Sequence, residues 1–281
     1  MKLALTILSI ATLTFGSINP DRTVVPFFEI YGGYTDLGDD LYSVEAPYYF
    51  EGEVRRNGNW QEIKKETYHR ARELGKHVLT ATPRKVRGEW APSFGTAFHV
   101  GGNLVLTAWH VIDKEFRKNS CNRVKTRLSD GLDGNRIGCF KVHHCNRKLD
   151  YCLAEMYIQK RGLSLQDLEP PIINAEPQRY SEEAEIMAIG NTSGLGLHAS
   201  VGKGIKKIND KYWFYAPVFF GNSGGPIFNE NDEIVGIVTA QSKEFYGDRA
   251  RNYATSMADI KLDLEKNLGT DHPAYKAINF K

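Results

Sequence analysis

From His77 onward the chain falls into short apolar or alternating runs separated by turn residues: HVLTAT (77–82), GTAFHV (95–100), LVLTA (104–108), AEIMAI (184–189), YWFY (212–215), GPIF (225–228), IVGIVT (234–239) and NYAT (252–255). Runs of this length suit strands rather than helices, and turns so closely spaced lead to antiparallel pairing in an all-β sandwich or barrel. Gly101, Gly102 and Asn103 mark a hairpin between two of the runs. VKTRL (124–128) and IGCFKV (137–142), flanking SDGLDGN (129–135), suggest another.

Two helices are expected around this β region. Asn59 with Glu62 three residues on has the spacing of a capping box, and Trp60, Ile63, Thr67, Ala71 and Leu74 follow at helical intervals before Gly75. Met257 to Leu268 carries Ile260, Leu264 and Leu268 on one stripe, with Gly269 after it. The glycine-rich GNTSGLGLH (190–198) lacks the G-K-[ST] of a phosphate loop and reads as a mobile surface loop.

MKLALTILSIATLTFG (1–16) gives a cation, an apolar run and then small residues, the layout of a secretory signal peptide. The run from Leu3 to Phe15 is shorter than the roughly 20 residues that cross a bilayer, so export with cleavage near Gly16 or Ser17 is expected, without stable membrane insertion afterwards. A secreted or periplasmic location follows. Residues 17–58, rich in aromatics, glycine and acids, read as a pro-segment or as an arm packed on the main domain. The expected division is a leader (1–16), an arm or pro-segment with its helix (17–76), a β domain (77–268) and a tail (269–281).

At 281 residues the chain can bury a self-sufficient core. Its 36 basic and 34 acidic residues leave +2, a balance that gives no field to attract nucleic acid. In an exported protein Cys121, Cys139, Cys145 and Cys152 favour disulfides, in one of three pairings, over a metal site, since no C-x-x-C pair is present. No metal or cofactor is called for.

Three residues carry the chemistry. FGNSGGP (220–226) packs three glycines and a proline around Ser223. A serine hydroxyl becomes a nucleophile only with a base in hydrogen-bond reach and a carboxylate to orient that base. His110 closes the apolar run LVLTAWHV (104–111), at the rim of a core, and Asp150 stands just before the buried-looking YCLAEM (151–156). Taken singly, each has a plain structural reading: a histidine bonded to backbone, a solvated acid, a surface turn. Together they supply nucleophile, base and orienting acid. Glycines around the serine allow two backbone N–H groups, of Gly221 and Ser223, to converge on one oxyanion.

TAWH (107–110), DYCLA (150–154) and GNSGGP (221–226) resemble, in the same chain order, the His, Asp and Ser motifs of the chymotrypsin-like (trypsin-like) serine proteases, over about residues 77–268. The resemblance implies two six-stranded antiparallel β-barrels with the active site between them. His110 would then be the general base, Asp150 would fix its tautomer, and Gly221 and Ser223 would hold the oxyanion, in an endopeptidase acting on protein or peptide substrates. Asn222 stands where the animal digestive enzymes have an acid paired to a new N-terminus, so the chain is more similar to the bacterial glutamyl endopeptidases and HtrA proteases, without the PDZ domain of the latter.

The family's pocket wall maps onto Pro217, Val218, Thr239, Ala240 and Gln241. No aspartate stands at Pro217 and no histidine beside Thr239. A small or apolar side chain at the cleavage site is therefore expected. The competing reading is a catalytically silent module of the same fold that binds a partner. An esterase would need a helix after G-x-S-x-G, where strand-like runs follow instead.

Overall fold

The computed structural model describes residues 27–50, 53–55, 59–82, 85–86, 89–90, 94–112, 127–130, 136–137, 140–156, 168–176, 184–208, 211–240 and 252–281. An N-terminal arm contains β1 (Phe27–Glu29), β2 (Tyr34–Gly38), β3 (Leu41–Glu45), β4 (Tyr48–Phe50), β5 (Glu53–Arg55), β6 (Trp60–Lys64) and α1 (Lys65–Gly75). A first lobe follows with β7 (Val78–Thr82), β8 (Lys85–Val86), β9 (Glu89–Trp90), β10 (Gly95–Gly101), β11 (Leu104–Thr107), β12 (Arg127–Asp130), β13 (Arg136–Ile137), β14 (Phe140–Asn146) and β15 (Tyr151–Met156). The second lobe holds β16 (Glu185–Asn191), β17 (Leu197–Ile208), β18 (Lys211–Tyr215), β19 (Pro226–Phe228), β20 (Ile234–Ala240) and β21 (Asn252–Ser256), and the chain ends with α2 (Met257–Asn267) and α3 (Pro273–Lys276).

Apart from the separate β8–β9 hairpin, each lobe is one antiparallel sheet. In the second, β17-β16-β19-β20-β21-β18 returns to β17 and closes a six-stranded barrel, with β1 of the arm added outside as a seventh strand. In the first, seven strands run β13-β12-β7-β10-β11-β15-β14. The fold is mostly β with a helix before and a helix after, as the short apolar runs require.

Strand periodicity explains why so many runs are apolar on both faces. In β11, Val105 points into the first lobe while Leu104 and Leu106 face out; in β16, Ile186 and Ala188 fill the closed barrel of the second lobe while Met187 and Ile189 face out. The outward residues meet one another and Met257, Ile260 and Leu264 of α2 in a shared core between the lobes. Phe28, Ile30, Tyr42, Val44 and Ile63 of the arm join it, all buried.

Two local expectations change. The capping pattern at Asn59 opens a strand, not a helix: β6 pairs with β3 from Leu41↔Lys64 to Glu45↔Trp60, and helix α1 begins only at Lys65. A ladder partner outweighs a weak local cap. Tyr68, Ala71 and Leu74 of that helix are buried as its stripe requires. The glycine-rich stretch expected as a mobile surface loop is a tight β16–β17 connection in which Asn191, Thr192, Leu197 and His198 are buried. Gly194 (φ 74) and Gly196 (φ 118) supply its left-handed turns. Of the four cysteines, Cys145 and Cys152 form a disulfide across the β14–β15 hairpin; Cys121 and Cys139 lie outside the described residues, as does the leader-like 1–16.

Candidate active site

Ser223 lies on the connection between β18 and β19. Gly221 (φ 98) and Gly224 (φ 86) take backbone angles that side chains resist, and the space beside them is closed. A Cβ on Gly221 would stand 2.2 Å from the Asn191 carbonyl oxygen, and one on Gly224 would stand 2.1 Å from that of Thr96 and 2.5 Å from Thr107 Oγ1. The serine turn is thus wedged against the strand end that leads into TAWH, with Gly224 against Thr107 and Ala108, three and two residues before His110.

Thr96 of β10, fully buried, holds the turn across the lobe boundary. Its N–H donates to the Ser223 carbonyl (2.9 Å), its hydroxyl donates to the Gly221 carbonyl (2.8 Å) and accepts from Asn191 N (2.9 Å), and its own carbonyl accepts from Thr107 Oγ1 (2.6 Å). On the second-lobe side, Ser193 N–H donates to the Phe220 carbonyl at 2.6 Å. In a trans peptide the C=O and the next N–H point in opposite directions, so this bond turns Gly221 N–H away from Ser193. Among the described residues, the N–H groups of Gly221 and Ser223 donate to no carbonyl.

Asn222 is buried at 1% exposure. Its Oδ1 accepts from the Thr192 hydroxyl (2.9 Å), while its Nδ2 has no partner among the described residues. The connection at 191–193 therefore holds the serine turn by two hydrogen bonds, with the Asn191 carbonyl close against Gly221, a role that residue spacing does not reveal.

His110 and Asp150 meet directly. Asp150 Oδ2 lies 2.7 Å from His110 Nδ1, and Oδ1 accepts from the His110 backbone N–H at 3.1 Å. With Nδ1 donating to a carboxylate, the remaining ring nitrogen Nε2 is left as an acceptor. Asp150 itself has φ 55, in the left-handed region that Asp tolerates better than most residues. It sits at the end of the turn between β14 and β15 that the Cys145–Cys152 disulfide closes.

Of the expected pocket residues, Pro217 is half-buried and Val218 buried, on the segment leading to the serine. Thr239 of β20 donates to the Tyr253 carbonyl (3.3 Å), and Ala240 ends that strand opposite Tyr253. Gln241 lies outside the described residues. Phe220, next to Gly221, is 63% exposed. Among the described residues no cluster of His, Cys, Asp and Glu could hold a metal, and no helix is long and apolar enough to cross a membrane.

A closed β-barrel, a second β lobe packed on it, and a glycine-framed serine turn wedged between them define a serine endopeptidase of the chymotrypsin type. The family model of the trypsin-like peptidase domain matches residues 95–237, just over half of the chain, and the chain belongs to that family. Among solved structures it is similar to the serine endoprotease of Yersinia pestis, at 18% identity and TM-score 0.56, covering 74% of this chain and 68% of that one. It is also similar to the active form of the Rv3671c protease of M. tuberculosis, at 17% identity and TM-score 0.54, covering 70% of this chain and 83% of that one. A mutant of that second protease in an inactive form matches at 16% identity and TM-score 0.53, covering 72% of this chain and 91% of that one.

Proposed function

We propose that the chain hydrolyses peptide bonds through an acyl-enzyme on Ser223. The observation that carries this reading is the two-point pairing of His110 with Asp150, at 2.7 and 3.1 Å, two residues beyond the Ala108 that the serine turn touches. His110 Nε2 takes the proton of the Ser223 hydroxyl as its oxygen attacks the substrate carbonyl, and passes it to the leaving amine. Asp150 holds Nδ1–H and so keeps Nε2 basic. Gly221 and Ser223 N–H groups receive the oxyanion; the Ser193–Phe220 bond, which orients the Gly221 peptide, supports this assignment. Water then attacks the ester by the same route in reverse.

The neutral Pro217, Val218, Thr239, Ala240 and Gln241 favour a small or apolar side chain at the cleavage site. The leader-like first residues and the Cys145–Cys152 disulfide both suit an exported protein acting in an oxidising compartment.

A fluorophosphonate probe tests the reading. Covalent labelling is expected in the native chain and absent in Ser223→Ala; a folded, unlabelled native chain would rule the proposal out. On a peptide substrate Ser223→Ala and Asp150→Asn should each lower kcat by roughly four orders of magnitude or more, the latter because the imidazole takes the wrong tautomer.

A further inference from the structure

The C-terminal helix reaches across the lobe boundary to the turn that carries Asp150. Asp263, on α2, is the acceptor for four side-chain donors. Oδ2 takes the Tyr151 hydroxyl (2.6 Å) and His144 Nε2 (2.8 Å), and Oδ1 takes Asn146 Nδ2 (2.8 Å) and Asn267 Nδ2 (3.0 Å). Burial alone would raise this carboxyl, but the bonds from Tyr151, His144 and Asn146 outweigh it and hold it below the ordinary carboxylate range.

Two of the four donors bound the turn that carries Asp150. Tyr151 is the next residue in the chain. Asn146 opens the same turn, and its Oδ1 accepts from the backbone N–H groups of Lys148 (2.9 Å) and Leu149 (3.1 Å). Thr255, at the end of β21 just before α2, donates to the Leu149 carbonyl (2.5 Å). Both ends of the turn 146–151 are therefore gripped from the second lobe, while the disulfide at 145 and 152 closes its base. At φ 55 Asp150 is in a region that costs most side-chain-bearing residues energy, and these bonds hold it there.

We infer that Asp263 is a positioning residue for Asp150: it sets the left-handed turn that aims the Asp150 carboxylate at His110, and so makes the triad's acid depend on the docking of the C-terminal helix. This rests on the reading of His110, Asp150 and Ser223 given above. Its distinguishing prediction concerns Asp263→Asn. An amide offers one acceptor oxygen where the carboxylate offered two, so at least one pair of donors loses its partner while volume is kept. A loosened turn misplaces the acid, and misplacement on the ångström scale costs about 10- to 100-fold in rate.

The test uses the full chain in four forms: native, Asp263→Asn, Asp150→Asn and the double variant. On a peptide substrate Asp263→Asn should lower kcat about 10- to 100-fold, with KM little changed. The same substitution should cost nothing more once Asp150 is already Asn, because the two act on one function. Amide hydrogen exchange gives a reading that needs no catalysis: the His110 N–H, which Asp150 Oδ1 accepts, should exchange faster in Asp263→Asn, while that of Ala154 in β15 stays protected.

An equal fall in kcat in both backgrounds, or unchanged His110 exchange, would overturn the inference. If the native chain fails to react with the fluorophosphonate, the catalytic reading fails, yet the exchange comparison still decides whether Asp263 holds Asp150. Should Asp263→Asn fail to fold, Tyr151→Phe removes one donor and keeps the ring; it must speed His110 exchange in the same direction, and no change there would overturn the inference as well.

Discussion

At the scale of single residues, the serine turn depends on one threonine. Thr96 uses both backbone groups and both capacities of its hydroxyl, so Thr96→Val, which keeps the shape, strands the Gly221 carbonyl and the Asn191 N–H inside the protein. Each buried group left unpaired costs about 1–3 kcal/mol. Thr96→Val is expected to lower the unfolding free energy by an amount of that order and to reduce kcat, as the Gly221 peptide drifts; Thr96→Ser should restore both. Denaturant unfolding and peptide turnover measured together check this, and full activity in Thr96→Val would refute it. His110, Asp150 and Ser223 stand out as candidates in the sequence because each sits in a local pattern of its own. Thr96, Thr192 and Asp263 do not, because their bonds close over 125, 30 and 112 positions to Gly221, Asn222 and Tyr151. A hydroxyl inside an apolar run such as GTAFHV was the only mark Thr96 left in the sequence.

At the scale of elements, the alternation of the two arm phenylalanines separates stability from function. Phe28, fully buried, turns into the core between the lobes and approaches the Tyr68 ring (6.1 Å). Phe27, on the opposite face of β1, packs against Phe219 (4.9 Å), two residues before Gly221, and against His198 (5.6 Å). Phe28→Ala should cost about 3–5 kcal/mol, seen as a lower Tm, with kcat unchanged at temperatures where the chain stays folded. Phe27→Ala should also lower kcat there, because Phe219 loses the ring that backs it. Equal kcat in the two variants would disprove the link from arm to serine turn. Short strands with both faces apolar were readable as β because no helix fits them. The two misread elements failed for opposite reasons: at 59–64 a cap-like pair hid a strand whose partner lies near residue 43, and at 190–198 glycines suited to tight turns resembled those of a free loop.

At the scale of the whole molecule, stability should depend on pH through histidines that the fold buries uncharged. His77, between α1 and β7, and His99 of β10 lie ring over ring at 6.2 Å, and the Nδ1 atom of each is buried without a partner among the described residues. Burial, with smaller contributions from His99 and Lys76 and against the pull of Glu73, lowers His77 from 6.5 to about 4. Burial also lowers His99, against the Gly102 carbonyl, and His143, against Glu155. A base with a lowered folded-state pKa binds its proton more readily in the unfolded chain. For His77 the contribution is therefore complete above about pH 6.5 and is lost as pH falls towards 4, at up to roughly 1.4 kcal/mol per pH unit; for His99 and His143 it is lost in the same direction as pH falls below about 6.5. Carboxylates act in the same direction but lower: Glu233 and Asp263 are held below the ordinary carboxylate range by their hydrogen bonds despite burial, so their contribution is lost only as pH falls through that range and beneath it. The interval from pH 6.5 to 5 thus belongs to the histidines. Urea unfolding at pH 7, 6 and 5 should show the unfolding free energy dropping across it, and His77→Phe, which leaves no group to protonate at that place, should make the drop shallower. A slope unchanged in His77→Phe would mean that His77 titrates alike in the folded and unfolded chain, and that the buried His77–His99 pair is not where mild acid acts.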